Sequence, residues 1–317
     1  MTVSRALNGN AYVKDTTRER ILSAANELGY LVNSVAAGLA SRRTGFIAVT
    51  VPTINNANFA DTVQGITETL REAGLQLLLG YTSYKADEEE RLVEEFLRRR
   101  PEAVVITGGN HTPRCRNLLQ RCGIPVIEVW DLPSSPIGDV VGFSNAAAAT
   151  LMADHLIERG YRKIGFIGGD NTQDTRGLDR RRGFLKALAM RGLEANRLVA
   201  SGPPPISMMK GAASMRQMLA QWPDTEAVMC VSDLSAFGAL SECQRMGVDV
   251  PSDIAIAGFG AYDIAELSVP DITTIDVCAR RIGELTGARI LQLLGHVLDL
   301  GSRVIEIEPR LIARGST

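Results

Sequence analysis

The chain has 317 residues, 45% of them hydrophobic, and its 34 basic and 36 acidic residues give a formal net charge of −2. This length excludes a single ordinary domain, so we expect two core lobes and a small appendage. The charge is uneven: residues 1–44 hold six basic and three acidic residues (+3), which leaves −5 for the remainder. Such asymmetry suits a basic module that contacts phosphate groups and is joined to a body that does not contact them. A patch of +3 is also common on a solvated face.

The cysteine usage indicates the compartment. Five cysteines are scattered along the chain, with no Cys-x-x-Cys pair, as expected in a reducing environment. Neither a signal segment nor an apolar run long enough to span a bilayer is present. We therefore expect a cytoplasmic protein with no membrane partner.

The first residues in chain order have helical patterns. Residues 1–8, MTVSRALN, are typical of the second helix of a helix-turn-helix, which lies in the DNA major groove. Val3 and Leu7 are four residues apart and are predicted to face the core of this headpiece. Thr16 and Glu19 have the spacing of a capping box, which predicts the start of another helix.

Downstream, short apolar runs alternate with amphipathic helical stretches, the pattern of βαβ units around parallel sheets. Glycines at positions 74, 160, 192 and 247 follow predicted helices, where a left-handed residue is favoured. Two successive series predict an α/β fold with two lobes. The predicted strands are 46–51, 75–79, 103–106, 126–129, 164–167, 227–231 and 254–259, and the predicted helices are 61–73, 87–100, 146–159, 180–191, 208–221 and 235–246.

The predicted domain boundaries follow from these series. Residues 1–44 form the headpiece and hinge, residues 45–143 plus 274–299 the N-terminal lobe, and residues 144–273 plus 300–317 the C-terminal lobe. The run 304–312 is predicted as a final edge strand whose pairing ends at Pro309. No leucine heptad tail follows it, so no coiled-coil tetramer is predicted.

Several motifs, in order and spacing, resemble the lac and purine repressor family of bacterial transcription regulators. They are the headpiece segments GYLVN (29–33) and AAGLA (36–40), and in the core GYRKIGFIGG (160–169), RRRGF (180–184), VSD (231–233), GF (258–259), PDITTI (270–275) and IEPRLI (307–312). The resemblance implies a homodimer with a headpiece, a hinge helix that orders on operator DNA, and a two-lobed core like a periplasmic sugar-binding protein. It also implies that a small molecule binds between the lobes and changes the headpiece geometry.

The resemblance implies a set of DNA contacts. Arg5 can pair with guanine, and Leu39 matches the hinge leucine that enters the minor groove. The alternatives are that Ser4 is only a helix surface residue and that Leu39 packs on the core. The full set is Thr2, Ser4, Arg5 and Asn8 on the recognition helix, Thr17 and Asn33 at phosphates, Tyr30 beside the groove, and Leu39 in the hinge.

The resemblance also implies an effector site at the carboxyl ends of the strands. Arg180 matches an arginine that binds sugar hydroxyls, and the alternative is an ion pair that stabilises the lobe. For Asp233 the alternative is a structural role, in which its carboxylate stabilises the N-terminus of a helix that begins near Ser235. The implied residues are Asn58, Phe59, Trp130, Arg176, Arg180, Ser232, Asp233 and Gly260.

One departure from the family points to the ligand. Many members have an aspartate that binds sugar hydroxyls where this chain has Gly260, after Gly258 and Phe259. Loss of this carboxylate relieves repulsion of an anion, and Arg176 and Arg180 remain to pair with one. Gly-Phe-Gly resembles the gluconate and idonate repressor branch, so a sugar acid is favoured over a neutral sugar.

Three functions compete. The first is a ligand-controlled transcription regulator, the second a DNA-independent sugar-binding protein, and the third an enzyme. An enzyme is disfavoured because His111, His155 and His296 have no nucleophile or metal-ligand spacing nearby, and no phosphate-loop motif occurs. No cofactor and no metal is predicted. No first helix precedes Met1, so we expect the gene to encode further residues upstream and this chain to bind operator weakly.

Overall fold

The computed structural model describes residues 3, 6, 13–30, 44–296 and 301–317. The chain divides into two compact units, Met1–Phe46 and Ile47–Thr317. In the first unit, helix α1 spans Asp15–Glu27, which confirms the predicted helix. Its N-cap is Lys14 without a side-chain cap, so the capping box was wrong: Thr16 lies inside the first turn. Val3 is 56% exposed, so it does not face a core as predicted, whereas Ala6 is 2% exposed; Leu7 lies outside the described residues.

The second unit contains a first lobe built on a six-stranded sheet. The strands are β1 (Phe46–Val51), β2 (Gln76–Tyr81), β3 (Ala103–Thr107), β4 (Val126–Val129), β5 (Asp139–Gly142) and β11 (Val304–Glu306). Their order in the sheet is β11-β5-β4-β3-β1-β2, and the β11–β5, β5–β4, β4–β3 and β3–β1 pairings are parallel. The helices are α2 (Ala57–Leu70), α3 (Ala86–Arg98), α4 (Pro113–Arg121) and α10 (Ala279–Leu293), and a 3-10 turn (Arg71–Ala73) follows α2.

The second lobe is built on a four-stranded parallel sheet of order β7-β6-β8-β9. Its strands are β6 (Ile164–Ile167), β7 (Leu198–Val199), β8 (Ala227–Cys230) and β9 (Ala255–Ala257). Its helices are α5 (Asn145–Glu158), α6 (Thr175–Met190), α7 (Met208–Gln221), α8 (Asp233–Met246) and α9 (Asp263–Leu267). A separate antiparallel pair joins β10 (Thr274–Asp276) to β12 (Arg310–Ile312).

The C-terminal segment differs from the predicted division. Strand β11 pairs in parallel with β5, so this part of residues 300–317 belongs to the first sheet and not to the second lobe. The predicted strand 304–312 is in fact two strands in different sheets. Pro309 lies between them, and because proline has no amide hydrogen the chain leaves one ladder there and enters the other. The other predicted boundaries of the headpiece and the two lobes stay predictions.

Glycines allow close approach of paired helices. Helix α2 packs on α10, α5 on α6, and α7 on α8. A Cβ on Gly283 of α10 would lie 2.1 Å from the carbonyl oxygen of Thr62 in α2. The Thr62 hydroxyl donates to the carbonyl of Ala279 at 2.9 Å, which ties the two helices together. This crossing positions the start of α2, next to the carboxyl end of β1.

Candidate functional site

A pocket lies between the lobes, where carboxyl ends of strands of both parallel sheets face each other. The first lobe contributes the start of α2 and the loops after β2 and β4, and the second lobe contributes the loops after β6, β8 and β9. The residues used below are Asn56, Asn58, Phe59, Tyr84 and Trp130 from the first lobe, and Asp174, Arg176, Arg180, Ser232, Phe259 and Tyr262 from the second. Six of the eight residues predicted for the effector site line it; Asp233 and Gly260 do not.

The lobes are closed around this pocket. Its volume is about 40 Å³, whereas a neighbouring cavity of about 440 Å³ shares Tyr84 and Arg176 with it. Ligand pockets have volumes on the order of 300–1,000 Å³. A sugar-sized molecule therefore requires the wall at Tyr84, which the two cavities share, to move.

Arg180 lies in the pocket wall and is 9% exposed. Its Nε donates to Asn145 Oδ1 at 2.9 Å and its Nη1 donates to the Val231 carbonyl at 2.9 Å. Its guanidinium carbon is 3.9 Å from the centroid of the Phe259 ring. Burial lowers the pKa of Arg180, and the negative charge of Asp174 partly opposes this effect. Both hydrogen-bond acceptors are neutral, so no carboxylate in the described parts of the chain forms an ion pair with this cation.

Arg176 is a second buried cation, 7% exposed. Its guanidinium carbon lies 5.7 Å from the centroid of the Phe59 ring, a contact between the two lobes. Within the described ranges it has no hydrogen bond and no ion pair. A buried charge without a partner is costly, so this guanidinium is available to an anionic ligand.

Aromatic rings form the floor of the pocket. The Phe59 and Trp130 rings meet edge to face at 5.0 Å between centroids, and Trp130 meets Phe143 at 5.9 Å. Phe143 stacks on Phe259 at 6.4 Å, so the row of rings continues from the first lobe into the second. Such rings offer apolar faces to the C–H groups of a ligand.

Asp233 lies behind the pocket wall. Its carboxylate accepts a hydrogen bond from the Thr274 hydroxyl at 2.6 Å and another from the Tyr262 amide at 2.8 Å. Burial raises the pKa of Asp233 to about 6, although these hydrogen bonds lower it. Ser232 caps α8 by accepting from the Ser235 amide at 3.3 Å. The geometry therefore favours the structural alternative for Asp233, at a helix N-terminus, over the predicted ligand contact.

Gly260 also lies outside the pocket, and the aspartate that many family members have at this position would not fit there. Its φ of +128° is a conformation that L side chains rarely adopt. A Cβ would lie 2.6 Å from Tyr262 Cε1 and 2.9 Å from Asn58 Nδ2. The Gly260 carbonyl accepts a hydrogen bond from Asn58 Nδ2 at 3.0 Å, and the Tyr262 hydroxyl donates to Asn56 Oδ1 at 2.8 Å. The glycine thus permits a loop that links the two lobes.

Sequence reasoning missed several pocket residues. Asp174 precedes α6 and brings a buried carboxylate to the two arginines. Tyr84 follows β2 with a positive φ of 60°, and burial raises its pKa to about 12. Asn145 joins the lobes, because its Nδ2 donates to the Trp130 carbonyl at 3.1 Å while its Oδ1 accepts from Arg180. Asp174 and Tyr84 follow predicted strands, whereas the strand before Asn145 was not predicted, and nothing local marked any of these side chains.

Comparisons with known proteins agree with this architecture. Residues 1–33 match the family model for bacterial regulatory proteins of the lacI family, and residues 153–317 match a periplasmic binding protein-like domain. The HTH-type transcriptional regulator GntR of Pseudomonas aeruginosa is 34% identical over 317 residues, which cover 100% of this chain and 92% of that protein. The chain belongs to the LacI family. GntR of Escherichia coli (strain K12) is 32% identical over 307 residues, 95% of this chain and 92% of that protein.

The structural comparison supports the same assignment. A LacI family regulator from Silicibacter pomeroyi has a TM-score of 0.93 at 33% identity, covering 100% of this chain and 95% of that one. These LacI-family relatives are transcription regulators, which confirms that this chain is a DNA-binding regulator and not an enzyme. LacI-family repressors bind operator DNA and small-molecule effectors. In the part of the chain that the structure describes, no helix is long and apolar enough to cross a membrane.

The predicted DNA contacts of this LacI-family headpiece are only partly within the described residues. Thr17 lies in the first turn of α1 and is half-buried, and Tyr30 follows the helix with its side chain 58% exposed. An exposed tyrosine at this place is compatible with a contact beside the groove. The other six, Thr2, Ser4, Arg5, Asn8, Asn33 and Leu39, lie outside the described residues. All eight contacts, and weak operator binding, stay predictions.

Proposed function

We propose that this regulator binds a sugar acid between its lobes, with gluconate as the first candidate, and that binding changes its affinity for operator DNA. The observation that carries the proposal is the pair of buried guanidinium groups of Arg176 and Arg180, neither of which forms an ion pair within the described chain. Asp174 acts on Arg180 through its charge without a direct ion pair, so a ligand carboxylate would supply the direct partner, in a site where charge-assisted hydrogen bonds are strong.

The other pocket groups suit the hydroxyls and carbon chain of such a ligand. The Tyr84 hydroxyl and Ser232 can form hydrogen bonds with hydroxyls, and Asp174 can accept from one. The rings of Phe59 and Trp130 can pack on its C–H groups. The relatives named GntR fall in the branch that the Gly-Phe-Gly motif predicted, which adds to the preference for gluconate.

Control of DNA binding requires that the ligand prefer one arrangement of the lobes. The contacts Tyr262–Asn56 and Asn58–Gly260 join the two lobes, and a ligand that adds contacts to both lobes would favour the same closed arrangement. We propose that the regulator acts as a homodimer in the cytoplasm, because a two-fold dimer matches a palindromic operator.

Calorimetric titration tests the ligand. Gluconate should bind the wild-type protein more tightly than glucose, which has the same chain length without the carboxylate. Arg176→Ala and Arg180→Ala should each lose about 2 kcal/mol of gluconate binding, roughly 30-fold, because a buried charge loses its partner. Arg182→Ala is the matched control, because Arg182 lies on the same helix with its side chain 73% exposed and paired with Asp179. Tighter binding of glucose than of gluconate would contradict the proposal.

Operator binding is tested separately with DNA sequences selected by the protein from a random pool. Gluconate should change the affinity for the selected DNA in the wild type but not in Arg180→Ala. An affinity for the selected DNA that is the same with and without gluconate would contradict the proposed control of DNA binding by this ligand.

A further inference from the structure

The first lobe contains a second cluster of ligand-type side chains, away from the two arginines. Glu89 lies on α3, Cys115 on α4, and His111 in the loop before α4. One ligand atom from each of these residues lies within 4.8 Å of the other two. His111 Nδ1 is 2.6 Å from Glu89 Oε2, and Cys115 Sγ is 3.9 Å from the same oxygen. The sequence predicted no metal site, because only the tertiary structure brings Glu89 to the other two residues.

A fourth residue completes the arrangement on the opposite side of the imidazole. Glu128 Oε1 lies 3.6 Å from His111 Nε2, and both side chains are fully buried. Neither of these two atoms has a hydrogen-bond partner in the described chain. The other oxygen of Glu128 accepts from the Ile137 amide at 2.5 Å, which fixes the carboxylate toward the ring. A carboxylate that accepts from the second ring nitrogen is the usual support of a metal-binding histidine.

We propose that Glu89, His111 and Cys115 bind a thiophilic divalent cation of the Zn²⁺ type, with Glu128 orienting the histidine. In a tetrahedral Zn²⁺ site, O, N and S ligand atoms are about 3.3–3.6 Å apart. The observed Sγ–Oε2 distance must shorten by about 0.4 Å, and the Nδ1–Oε2 distance must lengthen by about 0.7 Å as the direct hydrogen bond is replaced. The distance from Cys115 Sγ to His111 Nδ1 is at most 4.8 Å and must shorten by up to about 1.2 Å, so the site forms by rotation of these side chains.

The groups around the cluster suit a cation. Two buried carboxylates, those of Glu89 and Glu128, face the His111 ring away from water. A divalent cation takes the place of two protons, one from His111 Nδ1 and one from the Cys115 thiol, so the net charge of the cluster does not change on binding. Glu89 also lines the 440 Å³ cavity together with Thr107 and Asn110, which gives an ion a path and leaves room for a water ligand.

The test is a titration of the metal-free full chain with Co²⁺, which replaces Zn²⁺ and has visible absorption. The wild type should show tetrahedral d–d bands and a near-ultraviolet band from thiolate-to-Co²⁺ charge transfer. Cys115→Ser should lose the thiolate band, whereas Cys122→Ser should keep it, because Cys122 lies just after the same helix but outside the cluster. Glu128→Gln should keep the band and bind about 10- to 100-fold more weakly.

Two outcomes would overturn the inference. One is a wild-type protein without a thiolate band, in which case Glu89, His111 and Glu128 form only an ion-pair network. The other is a band that persists in Cys115→Ser. If Cys115→Ser loses the native circular dichroism spectrum, Cys115→Ala is used in its place, and loss of the thiolate-to-Co²⁺ band is again the expected result. The titration contains no sugar acid, so its result does not depend on the proposed effector.

Discussion

At the scale of single residues, Asp233 has the most informative environment. Its carboxylate joins the start of α8 to the Tyr262 amide and the Thr274 hydroxyl, three segments behind the pocket wall. It has two hydrogen-bond donors but no cation within ion-pair distance in the described chain, so burial dominates and raises its pKa to about 6. A residue expected to bind ligand therefore stabilises the loop that carries Tyr262.

This environment predicts a pH dependence of stability. The pKa of about 6 in the folded state exceeds the ordinary value of 3.8, so the folded protein holds the proton more tightly between these values. Protonated Asp233 therefore contributes up to about 3 kcal/mol to the free energy of unfolding. This contribution is fully present below about pH 4 and is lost as the pH rises through 6. In urea unfolding from pH 4 to pH 7, Asp233→Asn should lack this loss. The exposed Asp87→Asn is the control and should follow the wild type; an equal pH slope in Asp233→Asn and wild type would contradict the prediction.

At the scale of elements, the crossing of α2 and α10 shows how a helix pair sets the position of a site. Gly283 and Gly65 lie at the contact, and a Cβ on either would meet the backbone of the other helix within 2.6 Å or less. The Thr62 hydroxyl bridges to Ala279 at the same place. Because Asn58 and Phe59 lie one turn earlier on α2, the crossing also fixes one wall of the pocket.

Gly283→Ala should therefore destabilise the protein. Alanine favours a helix over glycine by about 1 kcal/mol, but overpacking against the Thr62 carbonyl costs on the order of 1–3 kcal/mol and should dominate. We expect a lower urea midpoint with an unchanged m-value, together with weaker gluconate binding. Thr67→Ala, at an exposed position of α2, should leave both unchanged. A Gly283→Ala variant as stable as the wild type would show that α2 and α10 can move apart to accommodate the methyl group without loss of stability.

At the scale of the whole molecule, closure of the two lobes rests on a few polar contacts and a row of rings. The Tyr262 hydroxyl reaches Asn56, Asn58 reaches the Gly260 carbonyl, and Arg176 lies over the Phe59 ring. Each of these polar contacts contributes on the order of 1 kcal/mol net. A contribution of this size is within the range that a ligand can shift.

Tyr262→Phe tests this view of closure. Loss of one net hydrogen bond of about 0.5–1.5 kcal/mol should lower the closed population and weaken gluconate binding by about 2- to 10-fold. Small-angle scattering of the ligand-free protein should show a larger radius of gyration, which a simple loss of ligand contact would not produce. Tyr81→Phe, with its side chain 56% exposed, should change neither. An unchanged radius would show that the hydroxyl does not hold the lobes together.

The sequence by itself determined most of the elements, because helix and strand periodicity and turn residues are local. Ten of the thirteen strands and helices predicted for the two lobes begin within one residue of their predicted starts, among them β1, β4 and α7, and Gly74, Gly160, Gly192 and Gly247 all have positive φ. Helices α4, α9 and α10 and strands β5, β7 and β10 were missed. The motifs also determined the family and six residues of the pocket lining, since motif order places them at strand ends.

Only the tertiary structure decided which of these side chains face the pocket. The Asn58 contact with the Gly260 carbonyl joins positions 202 residues apart, and Glu89 meets His111 across 22 residues. Asp233 turned away from the pocket because distant donors, the Tyr262 amide and the Thr274 hydroxyl, lie on its other side. Such contacts depend on how helices and sheets pack, and no local pattern encodes that packing. The same reason explains why β11 joined the first sheet when its sequence predicted only an edge strand.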